Sequence, residues 1–387
     1  MVRSSVCINV RMRVVDAYCG AGASTPKPYP RPYPRPLTLA NIFQGGWSAG
    51  AIAAGCTPVL GIDSESAPLK LWATNCSLAG RAVCATIGTD AVDWPEAVPD
   101  VHAHLSPPCT SLSKARAGSA SATSVATALD AVRWCVQFVL DKGYVSWSME
   151  NVATPMVVAC VAELARQHPD RVAYLTLDAA DYGVGSNRVR LIASTPAVIR
   201  ALKEMPVQRV SVAEAFAAAG LPLPAEYIKS NTSNRDGTPC MRSTQQPAFT
   251  VTASHPLIWC TRAGATVRCL TVAESAALMG FPTDWKLPLG SRAGLRAVGN
   301  AVPPPLSKAV MTCAVTEAQS LLIETPPHAQ EPAPQALPAP PTPQEPAPPE
   351  HERFARNELA VLRRKLRRLT KRVDVLEGRD QAALLDD

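Results

Sequence analysis

Arg13-Val-Val-Asp-Ala-Tyr-Cys-Gly-Ala-Gly22 is the stretch that decides the fold. A short strand over Arg13–Ala17 runs into the turn Gly20-Ala21-Gly22, where the missing Cβ atoms let a ligand approach the backbone. The same arrangement recurs along the chain. Val59-Leu-Gly-Ile-Asp63 reads as a strand closed by an acid, and Val101–Leu105 leads to Ser106-Pro-Pro-Cys109. Tyr144–Met149 leads to Glu150-Asn151, and Arg190–Ala193 is a further strand. Helices are predicted between them over Ala126–Leu140 and Met156–Arg166. Strands alternating with helices predict an α/β fold, a parallel sheet covered on both faces, with ligands at the carboxyl ends of its strands.

Composition bounds the rest. The chain has 387 residues, 47% of them hydrophobic, enough for one large domain and a smaller one. Its net charge is +6, about half of it from His351 onward. That mild excess suits a polyanionic partner without establishing one. The twelve cysteines show neither a disulfide framework nor zinc-ligand spacing, so thiols in a reducing compartment are expected and a metal is not. Met1–Arg13 lacks the apolar core of a secretion signal, and no apolar run is long enough to span a membrane. The expectation is a soluble intracellular protein, nuclear or cytoplasmic according to its host, with no membrane partner.

Three segments stand apart. Thr25–Pro36 reads TPKPYPRPYPRP, which blocks helix and sheet ladders. Residues 319–350 are a Pro/Ala-rich linker. Residues 351–387 form a basic helix in which Leu359, Leu362, Leu366, Leu369, Val373 and Leu376 recur three and four apart. That seam reads equally as a solvated amphipathic helix or as a coiled coil joining copies of the chain into a homo-oligomer.

Asp16-Ala-Tyr-Cys-Gly-Ala-Gly22, Ser106-Pro-Pro-Cys109, Glu150-Asn-Val152, Tyr182-Gly-Val-Gly-Ser-Asn-Arg188-Val-Arg190, Leu270-Thr-Val-Ala-Glu274 with Gly280-Phe-Pro282, and Gly299-Asn-Ala-Val-Pro303 follow one another in this order. In these motifs the chain resembles the cytosine-C5 DNA methyltransferase family over roughly residues 13 to 315. The resemblance implies a Rossmann-like class I methyltransferase sheet with a small target-recognition domain. On that reading, residues 1–195 hold the catalytic and cofactor-binding part, 196–269 target recognition, and 270–318 the motifs that complete the catalytic domain.

The resemblance also implies the chemistry: transfer of a methyl group from S-adenosylmethionine to carbon 5 of a cytosine flipped out of duplex DNA. Carbon 5 is a poor nucleophile until a thiolate adds to carbon 6, and Cys109 is the matching thiol. By resemblance, Glu150 meets the N3 and amino edge of the base and Arg190 the O2 edge, with Asn151 and Arg188 completing the catalytic set. Asp16, Tyr18, Gly20, Gly22, Asp63, Asp90, Pro108 and Asn300 are the implied cofactor residues. Asp63 would take the ribose hydroxyls and Asp90 the adenine amino group, and Tyr18 stands where the family usually has Phe.

The sequence departs from the family in three places. Thr110 follows the nucleophile in place of Gln, and Gly185-Ser186 replaces Pro-Gln before the Arg-x-Arg pair. Residues 23–45 interrupt the first motif: joining Gly22 to Gly46 would restore it, so the segment is either a gene-prediction artefact or a genuine Pro-rich loop. Thr110–Thr127, rich in small residues and carrying Lys114 and Arg116, is expected to be a mobile loop over the substrate. Gln246–Thr252 is expected to be a strand. Arg209, Lys229, Arg235, Arg242, Arg262, Asn231 and Asn234 are the candidate nucleic-acid contacts. Two alternatives stay open: the same chemistry on tRNA, and a catalytically weak homologue that binds DNA. Ala248-Phe249-Thr250 stands where the RNA branch usually has Cys-Phe-Thr, which favours DNA.

Overall fold

The computed structural model describes residues 12–17 and 45–324, apart from 78–80, 86–89, 91, 117, 119, 235 and 289. Tyr18, Gly20, Gly22, nearly all of the 23–45 segment, the linker from residue 325 and the 351–387 helix lie outside the described residues.

Seven strands make the main sheet: β1 (Arg13–Ala17), β2 (Thr57–Asp63), β3 (Arg81–Cys84), β4 (Val101–Leu105), β5 (Ser146–Val152), β6 (Ala173–Asp178) and β7 (Val189–Ser194). Their order is β3-β2-β1-β4-β5-β7-β6. All neighbours run parallel except β7, which is antiparallel to both β5 and β6. This is the Rossmann-like methyltransferase sheet expected from the motifs. From β1 the chain moves outward in opposite directions, to β2 on one side and β4 on the other. Such a switch point opens a crevice at the carboxyl ends of the two central strands.

Both faces of the sheet are covered, which is why β1 and β4 are buried almost throughout. The helices before β5 and β6 are α1 (Gly46–Ala53), α2 (Ser66–Asn75), α3 (Thr110–Arg116), α4 (Ala122–Asp141) and α5 (Pro155–Gln167). α4 and α5 bury Val132, Val136, Val139, Val157, Val161 and Leu164 against one face. The later helices are α6 (Pro196–Glu204), α7 (Val212–Ala218), α8 (Val272–Leu278), α9 (Ser291–Asn300) and α10 (Pro304–Glu324). α1, α6 and α10 cover the other face. α10 can lie this close to α1 because of two glycines. A Cβ on Gly46 would stand 2.3 Å from the Val302 carbonyl oxygen, and one on Gly50 would stand 2.2 Å from that of Pro304. Ser307 Oγ donates to the Trp47 carbonyl across the same contact at 2.6 Å.

A second sheet is antiparallel. β8 (Tyr227–Ser233), β9 (Pro239–Ser243), β10 (Ile258–Cys260) and β11 (Thr266–Cys269) run in the order β11-β10-β8-β9. Its core joins Phe216 of α7 edge-on to Trp259 of β10, ring centres 5.3 Å apart. α7 and α8 each start with a reciprocal cap, Ser211 with Glu214 and Thr271 with Glu274. Among the described residues no helix is long and apolar enough to cross a membrane, and no cluster of His, Cys, Asp and Glu could hold a metal.

Two expectations are corrected. Thr110–Thr127 is not one continuous loop: α3 takes up Thr110–Arg116, and Ser121 caps α4 by accepting the Ser124 amide. Its small residues include good helix formers and an N-cap, which a reading by composition misses. Gln246–Thr252 is not a strand either. Only Ala248 makes a bridge, to Ser186 in the connection between β6 and β7, because this segment packs against that connection rather than joining a ladder.

Candidate active site

At the carboxyl end of β4 the chain passes through Ser106, Pro107 and Pro108, all buried, to the partly exposed Cys109. The turn is held at several points. The Ser106 amide donates to the Ala17 carbonyl of β1 at 3.0 Å. Asn151 Nδ2, on β5, donates to the Pro107 carbonyl at 3.0 Å, while its Oδ1 accepts the Val152 amide. The Cys109 carbonyl accepts the Ser113 amide, so the thiol stands at the start of α3. Its two prolines fix φ through the turn.

β5 supplies the neighbouring carboxylate. Glu150 Oε1 lies 2.8 Å from Arg190 Nε on β7, and both side chains are about nine-tenths buried. The Cys109 thiol is pushed above its ordinary value, first by desolvation and then by the Glu150 charge; Arg190 and Arg188 pull it down. Cys109, Glu150 and Arg190 therefore act on one another electrostatically. In the free protein the thiol is held protonated, and a positive charge nearby is what offsets that.

Arg188 has a different surrounding from Arg190. Its guanidinium donates to the carbonyls of Val251, Gly299 and Ala301 at 3.1, 2.9 and 3.0 Å. It ties the β6–β7 hairpin to the segment before β10 and to the end of α9. Ser186 is likewise spent on packing, its Oγ donating to the Leu278 carbonyl at 3.3 Å. Thr110, which follows Cys109, is exposed.

On the other side of the crevice Asp16 is fully buried in β1. Its Oδ2 accepts from Ser48 Oγ at 2.7 Å, and Trp72 Nε1 donates to the same hydroxyl at 2.9 Å. Desolvation raises the Asp16 carboxyl to about 7, against the opposing pull of the Ser48 hydrogen bonds. Asp63, at the end of β2, is also buried, and its Oδ1 accepts the Glu65 amide at 2.8 Å. Asn300 ends α9 half-buried, and Asp90 is exposed outside any helix or strand.

The candidate nucleic-acid contacts divide. Arg242 is committed to Asn187 Oδ1 and the carbonyls of Pro247 and Ala248, and its guanidinium lies 4.3 Å from the centre of the Phe249 ring. Lys229 Nζ donates to the Gly264 carbonyl, and Arg209 pairs with Asp181. Asn231 donates to the Pro256 carbonyl and Asn234 to Thr238. Arg262 is exposed in the turn between β10 and β11. Arg235 lies outside the described residues.

Residues 224–314 match the family model of C-5 cytosine-specific DNA methylases. The motifs between Asp16 and Arg190 resemble that family as well. The matched residues span β8 to α10, so Cys109, Glu150 and Arg190 lie outside them. No curated protein matches in sequence. Among solved structures, a protein described as a DNA modification methyltransferase encoded within an E. coli prophage aligns at 15% identity with a TM-score of 0.51. The alignment covers 80% of this chain and 99% of that one, and it shows a shared fold. Schizosaccharomyces pombe Dnmt2 aligns at 12% identity and a TM-score of 0.45, over 81% of this chain and 99% of its own. Entamoeba histolytica EhMeth aligns at 11% and 0.45, over 79% and 98%.

The sequence reading missed Ser48 and Trp72, which hold Asp16, and the two histidines of β4. The signal for the histidines was present. His102 and His104 alternate in an apolar strand, and Ser146 and Ser148 alternate in the next one.

Proposed function

We propose that this chain transfers a methyl group from S-adenosylmethionine to carbon 5 of cytosine in DNA, with Cys109 as the covalent nucleophile. The observation that carries the reading is the partly exposed thiol beside the Glu150–Arg190 pair, at the carboxyl edge of a methyltransferase sheet. When bound, S-adenosylmethionine supplies an electrophilic methyl group. The residues fit such a group. Asp16 and Asp63 place two buried carboxylates at the carboxyl ends of adjacent strands, suited to positive charge on one and ribose hydroxyls on the other.

Cys109, once deprotonated, adds to carbon 6 and makes carbon 5 nucleophilic. Glu150 holds the N3 and amino edge of the base, and Arg190 offsets the negative charge that reaches O2. The pair lies in a partly desolvated crevice, where such contacts are strongest. Asn151 and Arg188 act one step back. Asn151 fixes the Pro107–Cys109 turn, and Arg188 fixes the hairpin that carries Arg190. Residues 196–269, with the antiparallel sheet, serve target recognition, and 270–318 complete the catalytic domain through α10.

Incubation with S-adenosylmethionine and duplex DNA containing 5-fluorocytosine tests this. Fluorine at carbon 5 blocks the final elimination and leaves the protein bound. The expected result is a covalent adduct with the wild type and none with Cys109→Ala. Adduct formation with fluorinated tRNA instead would move the substrate to RNA. No adduct with either, while the cofactor binds, would overturn the enzymatic reading.

A further inference from the structure

β4 and β5 carry a continuous buried chain of side chains that ends at the nucleophile turn. Ser146 Oγ lies 2.9 Å from His102 Nδ1, and His102 Nε2 lies 2.8 Å from Ser148 Oγ. Ser148 Oγ is also 2.9 Å from His104 Nδ1, and His104 Nε2 is 2.8 Å from Ser106 Oγ. All five residues are at most 2% exposed. They share one face of the sheet because residues two apart on a strand point the same way, and the parallel register sets His102 against Ser146 and His104 against Ser148. The Trp47 indole of α1 roofs the chain, stacked nearly parallel on His104 with ring centres 3.3 Å apart.

A buried polar chain in an apolar layer is tolerated only if every member is satisfied. Ser148 has one hydroxyl hydrogen and two ring nitrogens beside it, so it donates to one histidine and accepts from the other. With both rings neutral, an unbroken chain therefore requires the same tautomer in each. Burial favours the neutral state, since it lowers the proton affinity of both rings, His102 to about 3.

We propose that His104 and Ser106 are positioning residues for Cys109, and that His102, acting through Ser148, sets the tautomer of His104. The chain anchors Ser106 from inside the sheet, while Asn151 anchors Pro107 from β5. Between them they leave the Cys109 turn one position. That Cys109 is a nucleophile rests on the function proposed above; the anchoring of its turn does not.

The test is the rate at which each thiol of the intact protein is alkylated by iodoacetamide, read by peptide mass spectrometry without cofactor or nucleic acid. Freeing the turn hydrates Cys109, which relieves the desolvation now holding its thiol protonated. Ser106→Ala is expected to speed Cys109 alkylation about fivefold or more, because thiolate and access both increase. The buried Cys135 and Cys260 report on general loosening and should not change. Gln at position 104 can reach where Nε2 stands and Asn where Nδ1 stands. His104→Gln is therefore expected to behave as wild type and His104→Asn as Ser106→Ala. Cys109 unchanged in Ser106→Ala, or all three thiols accelerating together, would overturn the proposal.

Nitrogen-15 NMR of the wild type needs no variant. Both histidines should report one shared neutral tautomer between about pH 5 and 9, and opposite tautomers or a cationic ring would equally overturn it. If the fluorocytosine adduct fails while the alkylation pattern holds, the catalytic reading falls and the anchoring stands.

Discussion

Arg190 Nε reaches Glu150 Oε1 at 2.8 Å diagonally across the antiparallel β5–β7 pair, since Arg190 itself stands opposite Val152. The lone antiparallel strand of the sheet thus returns a cation to the carboxylate that acts on Cys109. The two charges pull the thiol in opposite directions. Glu150→Gln should lower the midpoint for Cys109 alkylation, and Arg190→Met should raise it. Each variant also breaks a largely buried ion pair and should cost about 3 kcal/mol of stability. The pH profile of alkylation checks the first effect and chemical denaturation the second. Midpoints moving the same way would contradict the electrostatic assignment.

Asp16 makes stability depend on pH. Its carboxyl lies at about 7 in the folded chain against 3.8 ordinarily, raised by desolvation. Between those values the folded protein keeps a proton that the unfolded chain releases. Stability from this group is therefore full below the lower value and is lost as pH rises through the upper one. Asp16→Asn can still accept from Ser48 but cannot ionise. The variant should be the more stable protein above neutrality, with a flatter dependence of Tm on pH across that window. An unchanged slope would mean that Asp16 stays ionised throughout.

Much of this was legible in the sequence, for reasons the structure makes plain. β1 and β4 were read at their true bounds because each ends directly in a motif that breaks the strand, Tyr18–Gly22 after β1 and Ser106-Pro-Pro after β4. Cys109, Glu150 and Arg190 lie where strand ends meet, and their order along the chain reflects that. Contacts made by backbone carbonyls left no such trace. Nothing in Arg188-Val-Arg190 says that the first arginine binds three carbonyls while the second pairs with a carboxylate. Arg242 and Lys229 looked like nucleic-acid contacts because composition registers charge and not its partners. Ser148 drew no attention in the sequence, since its histidine partners come from the adjacent strand.

α1 and α10 meet with no room for side chains at two positions. A Cβ at residue 50 would stand 2.2 Å from the Pro304 carbonyl oxygen and 2.6 Å from Ser307 Cβ, both parts of α10's first turn. Backbone cannot rotate away as a side chain can. Gly50→Ala should therefore push α10 off the sheet and destabilise the protein by about 1–3 kcal/mol, against the small gain that Ala brings to an ordinary helix position. Thermal unfolding measures the sign directly. A stabilised variant would mean that α10 accommodates the methyl group by sliding.

Arg188 is the stricter test of how the late segments hold the site. Its donors satisfy carbonyls from two separate stretches, residue 251 before β10 and residues 299 and 301 at the end of α9. Lysine keeps the charge but has a single ammonium, which cannot reproduce the planar fork of the guanidinium. Arg188→Lys should leave at least one buried carbonyl unsatisfied and lower stability by about 2 kcal/mol or more. Because the hairpin strand that carries Arg190 is fixed through Arg188, the Glu150–Arg190 pair should loosen with it. The Cys109 midpoint should then move upward, as expected for Arg190→Met, but by less. Loss of stability with no change at Cys109 would confine Arg188 to holding the hairpin and separate it from the chemistry.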